Sequence, residues 1–537
     1  MQLFPPLNQP ADLVGYNGLT TDPLLHEAVE RRASWSLDEL SGLGEKVGDP
    51  EWQELGALAN RHGPVLRSFS RQGLRIDEVE YHPAWHRLMQ LGVESGVHCL
   101  PWVEQRPGAH LARIARHYLL TQIEAGVGCP LTMTFAAAPS LKLEPDLAGQ
   151  WLPRITSRSY DFGLRNPAEK RGCLMGMAMT EKQGGSDVRA NSTQATALQD
   201  GTYSLQGHKW FCSAPMCDAF LTLAQRPAGL TCFLVPRVLP DGSRNRLHVQ
   251  RLKEKLGNRS NASSEIEYHG AIAWKVGEEG RGVPTIIEMV NHTRLDCVVC
   301  SVSLMRAALV QALHHARERH AFGRALIQQP LMQNVLGSLC IEWEAGLQLL
   351  LRLAQGYDSL DADEAHFIRL ATAVSKYWVC KRGPRFAAEA MEVLGGSGYV
   401  EESPLPRIFR EMPLPSIWEG SGNVMCLDVL RAVQKSPQTL EQYFSEVERS
   451  AGGDARLDQA VQELKQEWAR GGEMEFQARR LVERLALVLQ ASLLLRHSPT
   501  AVAETFCGHY LGPEVPREFG TLSPGAPVQA LIERAWR

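Results

Sequence analysis

At 537 residues the chain is about three to four times the length of a typical domain, so several domains are expected. A composition of 44% hydrophobic and 22% charged residues is that of an ordinary soluble protein, and 56 Lys+Arg against 60 Asp+Glu (net −4) exclude a global pull toward nucleic acid or membrane. Twelve cysteines are too sparse for a disulfide framework, which points to a reducing, cytoplasmic setting.

Residues 1–16 carry Pro5, Pro6 and Pro10 with no basic segment ahead of an apolar run, so they read as an extended strap, not a signal peptide. Residues 1–175 form a first, helical domain. In 111–123, Leu111, Ile114 and Tyr118 alternate with Arg113 and Arg116 as the two faces of a helix would. Over 176–283 the texture changes to short strands, at 203–205, 220–223 and 231–235. Turn signals at Asp200-Gly201, 240–242 and Gly280 separate them, which predicts an antiparallel barrel or sandwich. A helical bundle follows over 284–437, where Val302, Met305, Leu309, Leu313 and Ala316 make one stripe and Arg306, Arg317 and Glu318 lie off it. Within it Cys297 and Cys300 form a lone C-x-x-C in an apolar run and read as core thiols. Residues 438–537 add a helical extension with a stripe at Val482, Leu485, Leu489 and Leu493. Prolines 513, 516 and 524 break its tail, and 11 Lys+Arg against 14 Asp+Glu leave it a net of −3. The apolar run 485–495 is too short for a bilayer, which needs about 20 residues, so no membrane partner is expected.

Several phosphate, hydrolase and zinc signatures are missing: G-x-G-x-x-G, G-x-x-x-x-G-K-[ST], G-x-S-x-G and H-E-x-x-H. Five other segments carry chemistry. Residues 177–187 end in Gly-Gly-Ser-Asp, offering backbone N–H groups and the hydroxyls of Thr180 and Ser186 to a heteroaromatic edge or a phosphate, or forming only a tight turn. Residues 207–213 place Trp210 and Phe211 beside Ser213, suited to stacking on a flat cofactor or to packing inside a sheet. Arg319 precedes a helix-ending Phe322-Gly323, where it could reach a pyrophosphate or be a solvated cap residue. Gly395, Gly396 and Gly398 permit close approach of backbone to a ligand, or simply a loop. In 416–423, Glu419 stands between Trp418 and Gly420, as a general base or as a solvated turn residue.

The five segments occur together, in one order. With Met179-Thr-Glu before Gly-Gly-Ser-Asp187, Lys209-Trp-Phe with Ser213, Lys255-Leu-Gly-Asn-Arg-Ser260 and Trp418-Glu-Gly-Ser421, residues 111–435 resemble the acyl-CoA dehydrogenase flavoproteins. The uninterrupted stretches 179–188, 252–262 and 416–423, together with the N-terminal arm and the C-terminal extension, extend the resemblance over nearly the whole chain, to the AidB-type alkylation-response branch. The resemblance implies a mainly α fold with a central β-barrel: an N-terminal helical domain, a β domain, a four-helix bundle and a C-terminal extension. It also implies FAD and a homotetramer.

Carried over by position, Met177, Met179, Thr180, Gly185, Ser186, Phe211, Cys212 and Ser213 meet the flavin. Ile417, Trp418, Gly420, Ser421, Gly422, Asn423 and Leu427 wrap the rest of the cofactor, while Arg319, Phe322, Gln329 or Gln333, Gly395 and Gly396 meet a neighbouring subunit's adenine and pyrophosphate. Glu419 is the implied base, with Asp296, near Arg294, a second carboxylate. Two functions follow from the resemblance. One is acyl-CoA oxidation, with an acyl-CoA substrate and an electron-transfer flavoprotein as partner. The other is a flavoprotein that binds double-stranded DNA and protects or repairs it after alkylation, with weak dehydrogenase activity. Candidate phosphate contacts are Arg479, Arg480, Arg484 and Arg496 in the extension and Lys381, Arg382 and Arg385 in the bundle; Arg479 and Arg480 also read as a solvated helix face.

Overall fold

The computed structural model describes residues 7–513 and 518–536; Pro5, Pro6 and Pro516 of the predicted arm and tail lie outside them. The chain folds into two compact units. One comprises Glu51–Ala109 and Ile123–Asp296; the other draws on Met1–Pro50, His110–Gln122 and Cys297–Arg537.

The first unit carries the sheet. Tyr203–Ser213 pairs antiparallel with the 14-residue strand Ser263–Val276, from Tyr203↔Ala273 to Ser213↔Ser263. Ala219–Arg226 and Gly229–Pro236 form a tight hairpin, and Leu247–Leu252 adds to Ser263–Val276. Gln194–Ala197 turns into Tyr203–Ser213 through Asp200 and Gly201, at φ 82°, with the Asp200 carboxylate accepting from Thr202 N at 3.0 Å. The predicted turn at 240–242 is also present, with Gly242 at φ 82°. The pairing path runs through Ala219–Arg226, Gln194–Ala197, Tyr203–Ser213, Ser263–Val276 and Gly229–Pro236 and returns to its first strand, so the ladder closes. The expected purely antiparallel pattern is incomplete: Met175–Ala178 and Gln194–Ala197 both meet Ala219–Arg226 in parallel. Ala219–Arg226 is buried on both faces over six of its eight residues, and its continuous apolar run hides the direction of its neighbours.

The second unit is helical. Gly282–Glu318, Pro330–Tyr357 and Ala362–Val393 are its long helices, the first beginning in the sheet-bearing unit. Proline opens Pro330–Tyr357, where a missing N–H costs nothing, and the Asp361 carboxylate caps Ala362–Val393 by accepting from the N–H groups of Asp363 and Glu364. Gly282–Glu318 is long and apolar enough to cross a membrane by length and composition, yet most of its apolar window is buried in the protein. The stripe Val302, Met305, Leu309, Leu313 and Ala316 is fully buried, and Cys297 and Cys300 lie one turn apart, neither in a disulfide. The extension contributes Gln438–Glu448, Ala455–Arg470, Met474–His497, Thr500–Tyr510 and Val528–Ala535 to the same unit.

The polar faces expected at Arg113, Arg116 and Arg306 are not faces at all, because all three side chains are buried. Arg116 donates to Glu39 at 2.6 Å. Arg306 lies 4.7 Å over the Trp343 ring and donates to the carbonyl oxygens of Thr21 (2.6 Å) and Ala535, with Asp22 3.6 Å away. Asp22 in turn accepts from Tyr118 Oη at 2.8 Å and from Leu25 N at 3.1 Å, capping Pro23–Ala33. Burial raises the Asp22 carboxyl, opposed by Arg306 and these donors. A cation on a helix reads as solvent-facing unless its carboxylate partner is visible, and here the partners lie 77 residues away for Arg116 and more than 280 for Arg306.

Beyond this pair, the described part of the arm docks as an extended strap. Ala11 N donates to Glu318, the amide oxygen of Asn8 accepts from His320 N at 2.8 Å, and the Arg319 guanidinium donates to Asn8 O. Arg306→Met is expected to cost about 3–5 kcal/mol, since it leaves Asp22 as a buried, unpaired acid. Hydrogen exchange should quicken first over residues 8–22 and 528–536; a uniform loss of protection would mean that Arg306 does not hold these segments.

Candidate functional site

Glu181 and Lys209 are both fully buried and meet at 2.8 Å. Glu181 also accepts from Ser192 N (2.6 Å), Ser192 Oγ (2.8 Å) and Thr193 N, and Lys209 donates to Leu223 O at 2.8 Å, so every charge has partners. Burial opposes ionisation of Glu181, but the ammonium and the donors outweigh it and hold the carboxyl down to about 2. The pair pins the loop after Met175–Ala178 against Tyr203–Ser213, and Trp210 N donates to Thr180 O at 2.8 Å. Gly184 (φ 130°) turns the loop, and a Cβ on Gly185 would meet Thr180 Oγ1 at 2.5 Å.

What this loop presents is polar and unspent. The hydroxyls of Thr180 and Ser186 make no hydrogen bond among the described residues, and Ser213 Oγ has only a 3.5 Å contact with Ser263. Phe211 is 49% exposed beside them, and Met177 and Met179 are half-buried. The Trp210 face expected to stack on a ligand is taken by Lys253, 3.7 Å from the ring centroid. The Cys212 thiol points into the sheet, where burial pushes it up to about 12, so this residue offers its neighbours only main chain. Lys255 holds its own loop by donating to Asn261 O and Ser263 Oγ, and Ser260 donates to Glu124, so that segment is structural. Asp296 is buried and accepts from Thr132 Oγ1 at 2.5 Å.

The helical unit holds the second group of residues. Glu419 sits at φ 57°, a left-handed conformation that a non-glycine residue adopts only under constraint. The constraint is Lys376, buried in Ala362–Val393, whose ammonium donates to Trp418 O (2.7 Å) and to Gly420 O, the carbonyls on either side of Glu419. Burial pushes the nearby Cys297 thiol well up, with the Lys376 ammonium opposing and the Glu419 carboxylate reinforcing the shift. Sequence reasoning missed Lys376; its one signal was a lysine amid the uninterrupted apolar and small residues 370–380.

Ile417 is 63% exposed, and the Trp418 indole N–H is buried without an acceptor among the described residues. Ser421 is the N-cap of Gly422–Lys435, Leu427 is half-buried on that helix, and Lys381 packs so close over Gly422 that a Cβ there would lie 2.9 Å from its Cε. Asn423 accepts from Arg479 Nε at 2.8 Å. Arg319 is spent on Asn8, and Phe322 (φ 51°) is exposed at the tip of the hairpin formed by His320–Ala321 and Arg324–Ala325. Gln329 donates to Ala321 O, and Gln333 follows in the first turn of Pro330–Tyr357. Gly395 (φ 60°) and Gly396 have open space where a side chain would stand.

The candidate phosphate contacts are mostly neutralised. Arg480 pairs with Glu467, Arg484 with Glu463 and Glu467, Arg496 with Glu446, Arg382 with Glu342, and Arg385 with Glu518. Burial works against the Arg382 charge, yet Glu342 keeps its basicity above the ordinary value. A guanidinium held this way must surrender its carboxylate before it can take a phosphate.

The Glu181–Lys209 pair gives a direct test. Lys209→Met strands a buried carboxylate and is expected to cost about 3–5 kcal/mol, whereas Glu181→Leu with Lys209→Met should recover much of the loss. Since the folded carboxyl titrates near 2 rather than 4.5, the unfolded chain binds more protons between these values. The pair's contribution is therefore complete above about pH 4.5 and drains away as pH falls toward 2. The fall in Tm between pH 5 and 3 should be shallower in the double variant; parallel curves would remove the pair from acid stability.

Three family descriptions match in chain order: adaptive response protein AidB N-terminal domain over residues 8–162, acyl-CoA dehydrogenase middle domain over 176–271 and acyl-CoA dehydrogenase C-terminal domain over 280–434. A protein of Escherichia coli (strain K12) described as "Putative acyl-CoA dehydrogenase AidB" is 48% identical over 507 residues, 93% of each chain. Acyl-CoA dehydrogenase family member 11 of Caenorhabditis elegans is 30% identical, covering 84% of this chain and 76% of its own. Among solved structures, C. elegans ACDH-11 in complex with C11-CoA superposes with a TM-score of 0.86 at 27% identity over 94% of this chain and 92% of that one. Butyryl-CoA dehydrogenase of Megasphaera elsdenii shares the fold, with a TM-score of 0.57 at 20% identity over 72% of this chain and 97% of its own.

Members of this family are FAD-dependent, and within the sheet-bearing unit the unspent hydroxyls of Thr180 and Ser186 suit the polar edge of such a cofactor. The domain order, the near full-length likeness and the fold agree: this chain belongs to the acyl-CoA dehydrogenase family and is an FAD-dependent oxidoreductase of the AidB type.

Proposed function

We propose that the protein oxidises an acyl thioester with Glu419 as its base, and that it serves the alkylation response by binding duplex DNA. The observation that carries the first part is the Lys376 clamp on both carbonyls flanking Glu419. A carboxylate fixed in a strained backbone conformation has already lost the freedom a catalytic base must lose. Glu419 takes the proton from the carbon next to the thioester carbonyl. FAD, when bound, accepts the hydride that leaves the neighbouring carbon. By likeness to the family, Thr180, Ser186, Ser213 and Phe211 of the sheet-bearing unit would serve the cofactor edge; the same likeness gives Ile417, Trp418, Gly420, Ser421, Gly422, Asn423 and Leu427 of the helical unit a cofactor role. Lys376 is a positioning residue. The C11-CoA bound to the C. elegans relative makes a medium-length acyl-CoA the natural first substrate to try.

Duplex binding rests on likeness to AidB, not on the paired arginines of Met474–His497. The same likeness supports a homotetramer in which Arg319, Phe322, Gln333, Gly395 and Gly396 serve a neighbouring subunit's cofactor. An electron-transfer flavoprotein as acceptor follows from the family chemistry. Twelve cysteines, none in a disulfide, suit the cytoplasm.

With C11-CoA and a dye acceptor, Glu419→Gln should lower turnover by about 10²–10⁴-fold while flavin stays bound; unchanged turnover removes Glu419 from the base role. Lys376→Met should lower kcat by roughly 10²-fold with KM little altered, because it misplaces the base without touching the acyl pocket. Lys376→Arg should restore part of the rate. An equal rise in KM would make Lys376 a general prop of the fold. In the full chain, duplex affinity should fall steeply with salt; no binding at low salt would reduce the reading to acyl-CoA oxidation alone.

A further inference from the structure

In the helical unit, a cleft of about 60 Å³ is lined by Arg31, Arg32, Arg352, His497 and Arg534, with Glu27 the one carboxylate on its wall. Arg352 is already held by Glu364 and Glu446, and Arg534 by Glu344. Arg31, Arg32 and His497 make no hydrogen bond or ion pair among the described residues, unlike the arginines further along Met474–His497. The field they create is visible in its effect on themselves. Burial and then the Arg31 and Arg352 cations weaken the basicity of Arg32, with Asp358 opposing. Burial and then Arg496, Arg32 and Arg31 hold the His497 imidazole down, with Glu446 opposing.

Arg31 and Arg32 stand in the last turn of Pro23–Ala33, and His497 in that of Met474–His497. The negative end of a helix dipole amounts to about half a charge, too little to account for two unpaired guanidiniums together. The cleft, about 60 Å³, has room for a tetrahedral anion. Planar guanidiniums recognise such an anion through paired N–H groups.

We propose that this cleft is a phosphate-group site and that, resting on the DNA reading above, it seats a backbone phosphate of duplex DNA. Free pyrophosphate carries the same chemistry and is the alternative source. The test is Arg31→Gln with Arg32→Gln in the full, flavin-loaded chain; both positions are exposed, and flavin content reports folding. Duplex affinity is measured across a salt series and Tm with and without pyrophosphate, beside Arg480→Gln with Arg484→Gln as a control.

The expected result is a salt slope flatter by about 2 in the Arg31/Arg32 variant, one counterion per lost contact, with the control like wild type. If wild type ignores duplex but pyrophosphate raises its Tm and not the variant's, the site stands with free phosphate as its source and the DNA reading falls. If both proteins bind duplex with one slope and respond alike to pyrophosphate, the site is overturned and the DNA reading survives. If neither ligand engages wild type, both are overturned.

Discussion

In the sheet-bearing unit, the loop that bears Thr180 and Ser186 depends on one buried ion pair. Removing Glu181 and Lys209 from water is expensive, and the cost is met only because each atom finds a partner: two backbone N–H groups, a hydroxyl and a carbonyl besides the pair itself. That requirement fixes the loop from Met179 to Ser186 in one conformation. Thr180 and Ser186 can then keep their hydroxyls free, since the loop does not need them to hold its shape. A loop stabilised by its own displayed groups would have nothing left to offer a ligand.

The helical unit solves the same problem with a single cation. Lys376 neutralises no carboxylate directly; it binds two carbonyls and, through them, holds Glu419 at a backbone angle that the residue would not choose. Arg306 plays a comparable part on Thr21 and Ala535. In each case a long basic side chain, buried along its length, gathers main-chain oxygens from segments that regular structure leaves unsatisfied. The cations that matter most to the architecture are therefore the hidden ones, while Arg31 and Arg32 are conspicuous for having nothing to hold.

Helical and strand segments were legible wherever periodicity was clean: the stripe at Val302–Ala316, the hairpin at 220–235 and the turn at Asp200-Gly201. The family motifs located the loops that bear Thr180 and Glu419. What could not be read was partnership. Arg116 and Arg306 had the spacing of a wet face, and only the placement of Glu39 and Asp22 shows why they are dry. Lys376 carried no motif at all, because its role lies in two carbonyls, and carbonyls have no letter in a sequence. The strand Ser263–Val276 escaped because Glu265, Glu267 and Lys275 interrupt its apolar pattern, although its length makes it the seam of the whole sheet.

The Arg306 clamp also sets a timetable for the ribosome. The guanidinium reaches back 285 residues to Thr21 and forward 229 residues to Ala535. During synthesis the segment spanning Glu51–Asp296 contains the whole sheet-bearing unit and can collapse before Ala535 is made. The clamp that joins Thr21 to Ala535 through Arg306 stays incomplete until Ala535 has been made. Nascent chains of this protein thus carry an incomplete helical unit through most of translation.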